Sequence, residues 1–243
     1  MNKILHIFKK LIPINLFRQL QPAYHFCLAW FGSRLYGSPS EKLVVIGVTG
    51  GFGTGKSTVA KMLKAKGAVV LDADHLAHKV MEPKQLAWRR IVKRFGAQIL
   101  HEDHTINRKR LSEIVFHDPQ QRKHLEAIIH PQVIRAVKRE LHRLHRIKTA
   151  TVVLDVPLLI EAGLQSLVDV LVVVAAPDEV AQKRLQAKGW SEPDIQARRL
   201  AQWDLSAKQA LADVVIDNTY SVEDTRRQVN RLWNTQVAQR SRK

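Results

Sequence analysis

The sequence predicts an α/β protein: a parallel sheet of five strands with helices on both faces. Three observations carry this. Five short runs of Val, Ile and Leu are spaced along residues 43–216, each too short for a helix of its own. Helix-period segments separate them, so consecutive strands must cross over and run parallel. The 243 residues are 45% apolar and 25% charged, a globular composition with room for one medium domain.

Leu43-Val44-Val45-Ile46-Gly47-Val48 reads as the first buried strand. A glycine-rich turn follows, then a helix through about Lys66. Ala68-Val69-Val70-Leu71 is the second strand, ending at Asp72. Residues 75–148 contain no convincing strand and read as several helices, with Pro119 and Pro131 as breaks or helix starts. That block is too long for one crossover and is expected to form a separate lobe over the carboxyl edge of the sheet, where open α/β sheets bind ligands. Thr151-Val152-Val153-Leu154 is the third strand, ending at Asp155. Val170-Leu171-Val172-Val173-Val174 is the fourth, closed by Pro177, and Val214-Val215-Ile216 the short fifth. Ser221–Trp233 is a closing helix with Ser221 as its N-cap.

The net charge of +17 is uneven. Residues 1–40 carry Lys3, Lys9, Lys10, Arg18 and Arg34 and no acid; residues 226–243 carry six cations and no acid. Because the ends supply most of the excess, no nucleic-acid partner is expected. In residues 1–40 apolar residues recur at helical spacing until Pro13 and Pro22 interrupt them, and no run reaches the ~20 residues of a membrane span. Three readings stand for this extension: a peripheral membrane anchor, a partner-binding arm or a targeting peptide. The single Cys27 excludes an internal disulfide and fits a reducing, cytoplasmic setting.

Gly50-Gly51-Phe52-Gly53-Thr54-Gly55-Lys56-Ser57 fits G-x-x-x-x-G-K-[ST] in full, after a strand and at the start of a helix. A triphosphate must be wrapped by backbone N–H groups, which side chains would obstruct, and the helix N-terminus adds partial positive charge. Lys56 is expected on the β and γ phosphates and the Ser57 hydroxyl on Mg²⁺. Asp72-Ala73-Asp74 stands at the end of strand two. Its carboxylates either organise the metal shell and accept a hydroxyl proton, with Asp74 the choice for the latter, or cap the next helix. Asp155 ends strand three as a metal-shell acid or as a turn cap before Pro157. Among the 11 His, the pairs His75/His78 and His142/His145 have no acid or Cys at ligand spacing. His130 precedes Pro131 and is expected to be held extended, able to hydrogen-bond a ligand. Arg184, Lys188, Arg198 and Arg199 follow strand four, where basic residues can close over ATP as a lid; Arg184 is the one retained.

Residues 42–234 resemble the dephospho-CoA kinase family. The resemblance rests on Ile46 through Thr58, Asp72-Ala73-Asp74, Ile129-His130-Pro131, Val156-Pro157-Leu158-Leu159 with Glu161, and Ala212-Asp213 through Asp217-Asn218. It implies a P-loop kinase-like fold spanning 41–235, with a helical substrate-binding lobe at about 75–148 and a lid at about 178–205. The extension 1–40 and a basic tail 236–243 flank it. It implies transfer of phosphate from ATP, with Mg²⁺, to the ribose 3′-hydroxyl of dephospho-CoA. Asp74 then matches the base and Arg184 the lid arginine. Gly51, Phe52, Gly53, Thr54, Gly55, Lys56, Ser57 and Thr58 match the ATP loop, with Asn218 beside the adenine. Asp72, His130, Pro157, Leu158 and Glu161 match the dephospho-CoA side, and Ser57 and Asp155 the metal.

The chain departs from the family pattern in having Lys188 where a second lid arginine is usual, and Thr219 where a Gly follows Asp-Asn. Two competitors share parts of the reading. A nucleoside or nucleotide kinase would keep the loop and lid but not the set of Asp72-Ala73-Asp74 with His130-Pro131. A nucleotide-dependent scaffold held at anionic surfaces would use the basic ends without turnover.

Overall fold

The computed structural model describes residues 43–116, 118–147, 149–200 and 202–237. The expectations for residues 1–40 and for the tail beyond 237 lie outside the described residues. Strands β1 (Val44–Gly50), β2 (Val69–Asp72), β3 (Thr151–Asp155), β4 (Val170–Ala175) and β5 (Val214–Asp217) form one sheet in the order β2-β3-β1-β4-β5. β1 pairs in parallel with β3 and β4, and β4 with β5. The register sets Val48 opposite both Asp155 and Val172.

Nine α-helices lie along the described residues: α1 (Lys56–Ala65), α2 (Ala73–Val80), α3 (Leu86–Phe95), α4 (Arg108–Phe116), α5 (Pro119–Arg146), α6 (Asp178–Gln186), α7 (Glu192–Leu200), α8 (Leu205–Gln209) and α9 (Val222–Leu232). β1 and β4 are buried along their whole length, which is why their sequence is a continuous apolar run rather than an alternating one. The pleat turns Val44, Ile46 and Val48 into a core with Val59, Ala60 and Leu63 of α1 and Val229 and Leu232 of α9. Each Val, Ile or Leu among them contributes about 1.5–3 kcal/mol by leaving water. α9 starts as expected, with Ser221 and Asp224 forming a reciprocal capping box.

The described chain divides into two compact units: a sheet unit of residues 43–71 and 141–237, and a helical unit of residues 72–140. The helical unit has its own apolar core, built from α2, α3, α4 and α5 around Ile91, Ile99, Leu111 and Val115. Its only extended pairing among the described residues is the isolated antiparallel bridge Leu100–Ile106.

One expectation is overturned. Pro131 neither breaks nor starts a helix; it lies inside α5, and His130 is helical, not extended. Asp118 instead sets the start, its Oδ1 accepting from the amides of Gln120 and Gln121, with Pro119 at the first helical position. An internal proline costs about 3 kcal/mol. Leu125, Ile129 and Ala136 nevertheless fall on one helical face and are buried in the unit's core, with Val133 packed against it. Burial of several apolar side chains outweighs the lost hydrogen bond. No helix among the described residues is long and apolar enough to cross a membrane.

Candidate active site

The glycine-rich loop joins β1 to α1 in the sheet unit. At its end Gly55 takes φ +96° as the N-cap of α1, and a Cβ there would lie 2.1 Å from Asn218 Nδ2. Only glycine combines that left-handed backbone with so close a neighbour. The neighbour is functional to the loop's shape. Asn218 Nδ2 donates to Thr54 O at 2.7 Å, and Asn218 Oδ1 accepts from Thr225 Oγ1 at 2.7 Å. The loop is thus latched to the segment after β5. Thr54 Oγ1 donates to Gly51 O at 2.9 Å, closing the loop on itself.

Lys56 Nζ donates to Gly50 O at 3.1 Å and to Gly51 O at 2.7 Å, which holds the ammonium against the loop's own backbone. Ser57 is exposed in the first turn of α1, and Thr58 half-buried beside it. No acid occupies that first turn, so nothing there offsets the positive helix end. Asp155 ends β3, the strand directly beside β1, and is half-buried.

The segment after Asp155 is pinned from behind. Pro157 O accepts from Thr49 Oγ1 at 3.0 Å and from Lys208 Nζ at 3.3 Å. Lys208 Nζ lies 2.6 Å from Glu161 Oε1, with side-chain exposures of 0% and 1%. Burial lowers the Lys208 pKa, and the Glu161 carboxylate opposes that shift. Glu161 Oε1 also accepts from the Trp203 amide at 3.1 Å. Glu161 therefore supports the turn that presents Pro157 and Leu158, both half-buried.

In the lid region Arg184 is half-buried on α6, and its Nη1 is buried with no hydrogen-bond partner among the described residues. Lys188 is exposed just past α6. Arg199 Nη2 donates to Asp178 O at 2.8 Å, joining α7 to the start of α6. Arg198, passed over by the sequence reading, is 4% exposed. Its guanidinium lies 4.9 Å from the Phe52 ring centre and 4.2 Å from that of Trp190.

The helical unit carries the other candidates. Asp72 caps α2, its Oδ1 accepting from the amides of Asp74 at 2.8 Å and His75 at 3.3 Å. Asp74 thereby stands in the first turn of α2, half-buried, with His78 one turn on. Arg108 Nη1 lies 2.7 Å from His78 Nε2. Burial and then the Arg108 charge lower the His78 pKa, with Asp74 opposing. Burial likewise lowers the pKa of His130 on α5. Arg108 and Lys208 were missed by sequence reasoning, because an isolated cation in a helix carries no local signal. Among the described residues no group of three or more His, Cys, Asp or Glu is placed to hold a metal.

A Lys-Ser phosphate loop behind the central strand of a β2-β3-β1-β4-β5 sheet, with arginine-bearing helices after β4, defines a P-loop nucleotide-binding protein of the kinase class. The sequence profile of the dephospho-CoA kinase family matches residues 44–224. The chain is 44% identical over 187 residues to the dephospho-CoA kinase of Geobacillus kaustophilus, covering 76% of this chain and 93% of that protein. It is 42% identical over 188 residues to that of Carboxydothermus hydrogenoformans, covering 77% and 91%. Among solved structures, a dephospho-CoA kinase from Campylobacter jejuni superposes with TM-score 0.64 at 28% identity, covering 82% of this chain and 100% of that one. A Thermus thermophilus crystal structure superposes with TM-score 0.68 at 35% identity, covering 81% and 99%. This chain belongs to the dephospho-CoA kinase family.

Proposed function

We propose that this protein transfers the γ-phosphoryl group of ATP to the ribose 3′-hydroxyl of dephospho-CoA, releasing ADP and coenzyme A. The observation that carries this reading is the intact phosphate loop, latched by Asn218, in a chain whose family match spans residues 44–224. The 3′-oxygen forms the new P–O bond as the bond from the γ-phosphorus to the β–γ bridging oxygen breaks. Asp74 takes the hydroxyl proton.

Backbone N–H groups of Gly51, Phe52, Gly53, Thr54, Gly55, Ser57 and Thr58 surround the β and γ phosphates. Lys56 exchanges its carbonyl partners for phosphate oxygens. Arg184, whose Nη1 is buried, brings its guanidinium to the transferring group. Asn218 contributes by bracing the loop, and the segment it occupies borders the adenine. Ser57, exposed at the helix start, and Asp155, on the neighbouring strand end, offer oxygen donors of the kind that would hold Mg²⁺. The metal would neutralise phosphate charge. Asp72 positions Asp74 by capping its helix, and Glu161 supports the Pro157-Leu158 turn. On this reading Asp72 and His130 in the helical unit, and Pro157, Leu158 and Glu161 in the sheet unit, each serve dephospho-CoA.

The test is ADP release with ATP-Mg and dephospho-CoA, beside a panel of nucleosides and nucleoside monophosphates, with mass spectrometry of each acceptor. A gain of one phosphoryl group on dephospho-CoA alone is expected. Turnover with another acceptor in its place overturns the substrate; ATP binding without any turnover overturns the enzyme reading.

A further inference from the structure

The tip of the phosphate loop is gripped from two sides within the sheet unit. Gly53 has φ +84°, and a Cβ there would sit 2.8 Å from Ala181 O and from Leu185 Cδ1, so α6 lies directly against the loop. On Phe52, one residue earlier, the Trp190 ring packs edge-on at 4.9 Å between centres, nearly perpendicular at 82°. The Arg198 guanidinium completes the cluster over both rings, at 4.9 Å from Phe52 and 4.2 Å from Trp190. Arg198 is buried although charged, and Phe52 is the only large side chain in a loop of small residues.

We infer that Arg198 is a positioning residue for ATP binding: packed on Phe52 and Trp190, it holds the tip of the phosphate loop in its anion-binding shape and couples lid helix α7 to it. The role rests on the loop binding ATP. A loop with glycines on both sides of Phe52 loses much backbone freedom when its amides converge on a phosphate. An aromatic anchor at the tip removes part of that loss in advance. The choice of Arg follows from its planar face, which stacks on rings and remains charged when desolvated, where a lysine would not. The buried charge also raises the potential at an anion site.

The experiment is calorimetric ATP-Mg binding and steady-state turnover by the full chain and by F52A, R198M, R198K, W190F and the double variant F52A/R198M. F52A and R198M are each expected to weaken ATP binding about tenfold, and the double variant no more than either alone, because both remove one shared contact. R198K is expected to bind like R198M, because lysine has no planar face to lay on the rings, and W190F like the parent. The KM for dephospho-CoA should stay within about twofold, since the cluster lies on the nucleotide loop.

Parent-like ATP affinity in folded R198M, or losses that add in the double variant, overturns the role. A global folding defect is recognised by its melting curve and by an equal loss for both substrates. Should R198M fail to fold, F52A, W190A and their double carry the same test: additive losses overturn the role and shared losses support it. If the parent binds ATP but phosphorylates another acceptor, the substrate reading fails while the ATP affinities still decide this role.

Discussion

Around the phosphate loop of the sheet unit, polar side chains are held by fixed backbone partners: Lys56 by Gly50 and Gly51 carbonyls, Asn218 by Thr54, Thr49 by Pro157. In the helical unit the corresponding groups are ionisable side chains: His78 faces Arg108, and burial shifts the pKa values of His130 and Glu126. The first arrangement turns polar groups toward backbone carbonyls, as suits a loop that must present amides to a triphosphate. The second is tuned by protonation. In the sheet unit burial shifts the pKa of Lys208, which is paired with Glu161.

The sharpest way to break that contrast is to remove one group from each unit. Lys56→Ala in the sheet unit should lower kcat/KM by about three orders of magnitude, as loss of a charge-stabilising donor does. Asp74→Asn in the helical unit should lower kcat by about two to four orders while leaving ATP affinity near that of the parent. Steady-state kinetics with ATP-Mg and dephospho-CoA checks both. Near-parent turnover by Asp74→Asn would remove proton acceptance from the helical unit and leave only the loop as catalytic.

The same contrast explains what could be read from the sequence. The strand runs and the loop are contiguous, and their meaning depends on neighbours in the chain, so β1 to β5, Lys56 and Ser57 stood out at once. The Lys208–Glu161 pair, the Arg108–His78 contact and the Arg198 cluster join residues far apart in sequence. No period or motif marks them before folding. Pro131 failed as a signal for a different reason. Local backbone preference predicts a break there, but Leu125, Ile129 and Ala136 bury a face that only an unbroken helix can present.

Next in size is Glu161→Ala, which leaves Lys208 charged and buried without its acid. A loss of about 3–5 kcal/mol is expected, read as a lower denaturation midpoint. The joint replacement Glu161→Leu with Lys208→Met should recover much of it, since an apolar pair of similar volume needs no desolvation. If the joint variant is stable but slow, the pair serves to orient Pro157 and Leu158. Asn218→Ala removes the latch on Thr54 and should cost about 1–3 kcal/mol. Its effect on ATP affinity should exceed that on the KM for dephospho-CoA, as measured by calorimetry beside kinetics.

The smallest effect probes protonation in the helical unit. Burial raises the Glu126 pKa from 4.5 to about 7, against the pull of Arg122 and Lys123. A carboxyl whose pKa is raised by folding favours the folded state fully below its unfolded pKa. That contribution is lost as pH rises through the folded value, so the window runs from about pH 4.5 to 7. Glu126→Gln keeps the shape and removes the titration. It should leave stability at pH 5 almost unchanged and raise it at pH 8 by up to about 2 kcal/mol, the full shift being discounted for partial solvent access. His78 and His130 act in the opposite sense, because their lowered pKa values cost stability as pH falls below 6.5. Denaturation at pH 5 and 8, for the parent and Glu126→Gln, tests this: a parent-like pH slope in the variant would show that Glu126 does not contribute to the dependence.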